Sequence, residues 1–241
     1  MEAKKSIKLI ACLTIGAIVI FLSVLLLNNR SGSKDADQKA ADSLYGTAPE
    51  NQQSFSVANL PVRTEEDFFT GPGDEAADII VYEDYADSYS ADFADILNQA
   101  KNEFGDKINL VYRPFNVASA SLSDTAALAV RCAADQNQGE PYRAKVFEAF
   151  KAGQLSQDKL TVLAVATGVN KEDFASCLTN SEKRKKIEES MANAENFSVT
   201  GAPTVFVGDE MIVGARPYET FTDSNNDEIE GLKQVIARQL K

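Results

Sequence analysis

The chain has 241 residues, with 36 acidic and 24 basic side chains, a formal net charge of −12 and no histidine. Such an acidic chain is not expected to bind nucleic acid, because a binder needs a basic face that releases the counterions of phosphate. The lack of histidine excludes Ser-His-Asp and Cys-His catalysis and His-ligated zinc. A hydrophobic content of 44% is enough for a folded core.

The first predicted element is a membrane-spanning helix at residues 9–27, a run without a charged side chain. At 1.5 Å per residue this run spans about 28 Å, close to the hydrocarbon thickness of a bilayer. Lys4, Lys5 and Lys8 precede it, so the positive-inside rule places residues 1–8 in the cytoplasm. A cleaved signal peptide is the alternative, but "NNRSGS" is a poor cleavage site. We therefore expect a single-pass protein of the cell membrane whose C-terminal domain is extracytoplasmic.

A flexible linker is predicted at residues 28–59. This stretch is rich in Ser, Asp, Gln, Ala and Gly and has little hydrophobic periodicity. Such a composition cannot bury enough apolar surface to offset the conformational entropy of the chain. We expect one folded domain at residues 60–241.

The folded domain begins with a strand, a helix and a second strand. Residues 78–83 ("DIIVYE") predict a buried strand, and residues 108–112 ("INLVY") predict another that ends before Pro114. Between them, apolar side chains recur at helical spacing. This stripe consists of Tyr89, Phe93, Ile96, Leu97, Ala100 and Phe104. The order is typical of a βαβ unit.

Helical patterns then continue over about residues 120–196, and β structure returns near the C-terminus. Residues 204–207 and 211–213 flank a Gly-Asp turn and predict a hairpin. A last helix is predicted at residues 227–239. The whole order predicts an α/β sandwich with a helical insertion.

Three stretches in this order resemble the DsbA-type thiol-disulfide oxidoreductases. They are "IIVYEDYADSYSADF" from Ile79, the helical block, and "VTGAPTVFVGDEMIVGARPYETF" from Val199. The resemblance covers about residues 75–241. It implies a thioredoxin-like fold with a helical insertion, here preceded by one N-terminal transmembrane helix.

The resemblance fails at the reactive centre. It places Asp87 at the nucleophilic cysteine of the family's Cys-x-x-Cys motif and Ser90 at the resolving cysteine, and thiol-disulfide exchange requires a thiolate. Asp87 is predicted to be a helix N-cap that stands where a thiolate would be. A hydrolase built on Ser90 is the alternative, but Asp87 is expected to have a lowered pKa and to be a weak base.

The residues around this pair are assigned as follows. Glu83 is expected to be a strand-end acidic residue, and Asp84 and Tyr85 to shape the loop rather than take part in chemistry. In the family, the proline matching Pro203 is cis, and the backbone of the residue matching Ala202 pairs with bound polypeptide.

We accordingly predict that Tyr89, Ala202, Pro203 and Thr204 contact a bound polypeptide. The predicted function is a peptide-binding or chaperone-like module without redox catalysis. The predicted partners are exported or unfolded polypeptides.

Cys132 and Cys177 lie on predicted helices of the insertion, where the family often carries a second cysteine pair. Cysteines beyond an export segment commonly form a structural disulfide, which we predict here. Buried free thiols, or a displaced redox pair that still serves disulfide formation, are the alternatives.

No cofactor and no metal site are predicted. Asp223, Asn225 and Asp227 match the opening of a calcium loop, but Glu228 replaces its glycine and Gln234 its last glutamate. We expect this stretch to form a loop that caps the last helix.

Overall fold

The computed structural model describes Ser54–Ser56, residues 59–117 and residues 121–241. The predicted cytoplasmic segment, the predicted anchor and most of the predicted linker lie outside these residues. Among the helices of the described part, none is both long enough and apolar enough to cross a membrane.

The predicted strands and helices occur in the predicted order, and short strands that were not predicted lie near both ends of the described part. The strands are β1 (Ser54–Ser56), β2 (Phe68–Thr70), β3 (Ala77–Glu83), β4 (Ile108–Pro114), β5 (Thr204–Val207), β6 (Glu210–Val213), β7 (Phe221–Thr222) and β8 (Glu228–Ile229). The helices are α1 (Ser88–Phe104), α2 (Ser121–Ala134), α3 (Gly139–Lys151), α4 (Gln157–Ala166), α5 (Lys171–Leu178), α6 (Ser181–Ala194) and α7 (Leu232–Gln239).

One mixed sheet forms the centre, with the strand order β1-β6-β5-β3-β4-β2. β3 and β4 are parallel and joined by α1, whereas β5 runs antiparallel to β3. Side chains alternate across β3, so Ile79 and Val81 pack with Phe93 of α1 and Val235 of α7, while Ile80 belongs to a core cluster with residues that follow α6. The predicted α/β fold with a helical insertion is thus present among the described residues.

The helices α2 to α6 form the insertion, and they share a core with Tyr85 and with one face of α1. The largest buried side chains that the insertion contributes include Leu128, Tyr142, Leu160 and Phe174. Cys132 of α2 and Cys177 of α5 are joined by a disulfide, with their Cα atoms 5.8 Å apart. The predicted pairing is therefore confirmed.

Two boundaries of the sheet differ from the prediction. Ser54–Ser56, within the predicted linker, pairs with β6, so the folded part begins before Leu60. β4 continues through Pro114, which lies opposite Glu83 of β3. Proline is tolerated at this strand end because the next residue, Phe115, supplies the N–H that bonds to the carbonyl oxygen of Glu83.

The last helix begins at Leu232 and not at residue 227 as predicted, because β7 and β8 pair as a short hairpin before it. The carboxylate of Asp223 accepts hydrogen bonds from the N–H groups of Asn225 and Asp227. The stretch that matched a calcium loop is therefore the turn of this hairpin. The expectation that this stretch caps the last helix is wrong.

Candidate functional site

Two loops meet at one end of the sheet and form the candidate site. The strand register pairs Tyr82 of β3 with Thr204 of β5 in antiparallel orientation. The residues that follow β3 and those that precede β5 therefore lie side by side. This places the loop that ends at Asp87 next to the loop that contains Pro203, and the Ala202-Pro203 peptide bond is cis.

Asp87 is the N-cap of α1. Its backbone is extended (φ −119°, ψ 140°), and its Oδ2 atom accepts a hydrogen bond of 2.7 Å from the N–H of Ser90. The first turn of α1 contains no acidic residue. The negative charge that interacts favourably with the positive end of the helix dipole therefore comes from Asp87. The predicted cap is confirmed.

The pKa of Asp87 is raised, which corrects the expectation that it is lowered. Burial of the carboxylate is the largest cause, and the negative charge of Asp84 acts in the same direction. Hydrogen bonds from Ser90 and from the N–H of Tyr89 lower the pKa, but they do not outweigh burial. The carboxylate is thus only partly compensated: among the described residues, neither Asp84 nor Asp87 forms an ion pair.

Ser90 is buried and structural. Its side chain is 1% exposed, and its Oγ atom accepts a hydrogen bond of 3.1 Å from the N–H of Asp84. A serine nucleophile needs access to substrate and a base that removes its proton. The burial and hydrogen bonding of Ser90 therefore do not support the hydrolase alternative.

Asp84 holds the loop together, as the sequence predicted. Its Oδ1 atom accepts a hydrogen bond of 2.8 Å from the N–H of Ala86, and its Oδ2 atom accepts one of 3.0 Å from the N–H of Val117. The second bond ties the loop after β3 to the segment after β4. Val117 is thereby brought to the site with 56% of its surface exposed.

Glu83 is not the simple strand-end acid that the sequence predicted, because it forms a buried ion pair with Arg143 of α3. The Nε atom of Arg143 donates to Oε1 of Glu83 at 2.6 Å, and a second hydrogen bond joins Nη2 to Oε2. The guanidinium also lies 4.1 Å from the ring centroid of Tyr112. Burial alone would lower the pKa of Arg143, yet the charge of Glu83 and its hydrogen bonds leave that pKa raised. An arginine beside Tyr142 on the apolar side of a helix was the sequence signal for this pair.

The four residues predicted to contact polypeptide differ in accessibility. Tyr89 is 39% exposed and Ala202 is half-buried, but Pro203 and Thr204 are buried. The Oγ1 atom of Thr204 donates to the carbonyl oxygen of Gly201 at 2.7 Å, so this side chain stabilises the loop. Contact of the four residues with a polypeptide stays a prediction. Neither the N–H nor the C=O of Ala202 makes a hydrogen bond within the described residues.

The positions of the two bonded cysteines favour a structural role over a redox role. Cys132 lies in the last turn of α2 and is 1% exposed, and Cys177 lies in the last turn of α5. The negative end of a helix dipole opposes thiolate formation, whereas redox-active cysteines commonly lie at helix N-termini.

A cavity of about 880 Å³ lies away from Asp87, beneath α6. Several charged side chains of its walls form ion pairs, including Arg113 with Asp67 and Lys186 with Glu66. These pairs do not define a ligand. No group of three or more side chains able to hold a metal ion is found within the described residues.

The chain is similar to known proteins in both sequence and fold. The family model described as Thioredoxin matches residues 63–224. Among solved structures, oxidised BdbD from Bacillus subtilis aligns with 81% of this chain and 99% of that chain, with a TM-score of 0.62 and 17% sequence identity. At this identity, the likeness to BdbD shows the shared fold alone.

Two curated relatives match part of the chain. The "Uncharacterized protein YwbO" of Bacillus subtilis (strain 168) is 29% identical over 119 residues, which cover 47% of this chain and 58% of that protein. The "Na(+)/H(+) antiporter NhaA" of Herminiimonas arsenicoxydans is 26% identical over 166 residues, which cover 69% of this chain and 26% of that protein. The chain thus spans less than two thirds of the length of either relative.

Proposed function

This chain belongs to the thioredoxin family, and on that premise we propose that it binds exported or unfolded polypeptides without exchanging disulfides. The observation that carries the proposal is the pair of residues at the start of α1. Asp87 caps that helix beside the Pro203 loop and Ser90 follows it, at the places where the DsbA resemblance calls for the two cysteines. Neither a carboxylate nor a buried hydroxyl can perform thiol-disulfide exchange.

The backbone of Ala202, which makes no hydrogen bond within the described residues, supports polypeptide binding. An extended segment could add beside it and satisfy both its N–H and its C=O, as in strand addition to a free sheet edge. Tyr89 and Val117 are accessible near the same end of the sheet and offer apolar surface to alternate side chains of such a segment. These features support binding at a site whose residues cannot carry out thiol-disulfide exchange.

Anchoring in the cell membrane is part of the proposal. It rests on the uncharged run at residues 9–27 and on the lysines that precede this run. The Cys132–Cys177 disulfide supports an extracytoplasmic location for the folded domain, because disulfides persist in oxidising compartments.

A role in disulfide formation is the second candidate, since Cys132 and Cys177 are bonded and could in principle be reduced. An insulin-reduction assay with dithiothreitol separates the two candidates. We expect the wild-type protein to leave the rate at that of dithiothreitol alone. Turnover by the wild type that Cys132→Ser abolishes would contradict the binding proposal and favour this second role.

The double substitution Asp87→Cys/Ser90→Cys tests whether the site retains the geometry that the resemblance implies. We expect it to gain insulin-reduction activity, because the start of α1 would stabilise a thiolate. Asp87→Ser/Ser90→Cys is the matched control with one sulfur, and it should stay inactive. If the double variant folds, with unchanged circular dichroism, and has no activity, the assignment of these two positions is wrong.

Polypeptide binding itself is measured by fluorescence anisotropy with a labelled, cysteine-free unfolded polypeptide. The substitution Ala202→Pro removes the N–H that would pair with the segment and should weaken binding about tenfold, and Ala202→Ser retains this N–H and serves as the control. Equal affinities of both variants and the wild type would argue against pairing at Ala202.

A further inference from the structure

We infer that the surface formed by Asp87, Tyr89, Val117 and the Ala202 backbone selects extended segments that place a lysine or arginine side chain against Asp87. We refer to these four residues as the capping surface. The inference rests on the proposed function and specifies the chemistry of the polypeptide that would be bound. It starts from three observations at this surface.

The first observation is negative charge without a cationic partner among the described residues. Asp87 is half-buried and Asp84 lies in the same loop, yet no ion pair among the described residues includes either carboxylate. The raised pKa of Asp87 reflects the same partial compensation. Since no described cation pairs with Asp87, a cation that arrived with a ligand could form a charge-assisted hydrogen bond with it in a partly desolvated place.

The second observation is that the apolar surface at the site suits the stem of such a side chain. Tyr89 is two residues after Asp87, and Val117 is held by the carboxylate of Asp84; both are well exposed. Lysine and arginine side chains cover apolar surface with their methylene groups while the charged head reaches a polar partner. An aromatic ring also attracts a cation placed over its face.

The third observation points to a polypeptide and not to a free ion or a small amine. Both backbone groups of Ala202 lack partners within the described residues, and only another backbone supplies a donor and an acceptor at strand spacing. The net charge of −12 further favours the approach of cationic segments.

The test uses three labelled, cysteine-free peptides that are identical except for one central residue, which is lysine, norleucine or glutamate. Their affinities for the wild-type protein are measured by fluorescence anisotropy at low and at high salt. We expect the lysine peptide to bind about fivefold more tightly than the norleucine peptide, the glutamate peptide to bind most weakly, and high salt to reduce the differences.

The variant Asp87→Asn retains a good N-cap while it removes the charge, so it should bind the lysine and norleucine peptides equally. Glu75→Gln is the matched control. It removes one exposed carboxylate near the opposite end of β3 and should keep the preference of the wild type.

The outcomes separate the two proposals. If all three peptides bind the wild type with equal affinity, or if Asp87→Asn keeps the preference for lysine, the inference about charge is wrong and polypeptide binding stands. If none of the three peptides binds, the proposed function fails, and the inference fails with it.

Discussion

Asp87 experiences two opposing effects at the start of α1. The N–H of Ser90 and the helix dipole favour its ionised form, while burial and the nearby Asp84 disfavour it. The net result is a raised pKa, so the ionised carboxylate at neutral pH reduces the free energy of unfolding relative to a neutral cap.

This balance predicts the behaviour of Asp87→Asn. An acid whose pKa is higher in the folded than in the unfolded protein binds its proton more tightly when folded, so its ionisation destabilises the fold. Asparagine caps a helix about as well as aspartate and does not ionise. We therefore expect Asp87→Asn to raise the midpoint of thermal unfolding at pH 7.

The gain should shrink as the pH falls and vanish below the unfolded pKa of about 3.9, where aspartate is protonated in both states. Asp87→Ala is the control, since it removes the cap as well and should be less stable than Asp87→Asn by about 1 kcal/mol. A gain that does not depend on pH would contradict this account of the charge.

The sequence predicted the cap but not the pKa. An aspartate directly before an amphipathic stripe indicates a helix start, and this signal is local. The shift of the pKa depends on how far folding buries the carboxylate and on the charge of Asp84. No local pattern reports that packing.

At the scale of elements, the disulfide joins the ends of α2 and α5 across the core of the insertion. The two cysteines are 45 residues apart in sequence. Closing a loop of that length in the unfolded chain stabilises the folded state by about 4 kcal/mol in the chain-entropy model.

The double substitution Cys132→Ala/Cys177→Ala should therefore lower the free energy of unfolding by about 2 to 5 kcal/mol, measured by urea denaturation under non-reducing conditions. Reduction of the wild type with dithiothreitol should produce a similar loss, and reductant should not change the double variant. If the double variant were as stable as the wild type, the bridge would have no structural role.

The sequence predicted elements with strong periodicity more accurately than short ones. α1 and the β5–β6 hairpin were expected nearly where they are found. β7 and β8 have two residues each and carry no periodic signal, so the sequence did not predict them. The predicted start of α7 was therefore placed too early in the chain. β1 is a short edge strand whose pairing depends on the distant β6.

At the scale of the whole molecule, the ion pair between Glu83 and Arg143 connects the sheet to the helical insertion. Glu83 ends β3 directly before the loop of the site, and Arg143 belongs to α3. Both side chains are at most 3% exposed. The ion pair thus fixes the helical insertion to β3, the strand that leads into the loop of Asp87.

Arg143→Met should destabilise the protein by about 3 to 5 kcal/mol, because it leaves the carboxylate of Glu83 buried without a counter-ion. The measurement is urea denaturation at pH 7. The double variant Glu83→Gln/Arg143→Met should recover much of this loss, since no isolated charge remains. A double variant as unstable as the sum of its single variants would show that the two side chains are not coupled.

The sequence by itself determined the order of elements, the helical insertion, the cap at Asp87, the two cysteines and the absence of a Cys-x-x-Cys motif. These properties are local, or follow from periodicity and residue chemistry. Only the tertiary structure decided that Ser90 is buried, that Glu83 meets Arg143, and that the backbone of Ala202 makes no hydrogen bond within the part of the chain that the structure describes. The reason is physical: burial, ion pairing and backbone satisfaction depend on segments that are distant in sequence and adjacent only after the chain has folded.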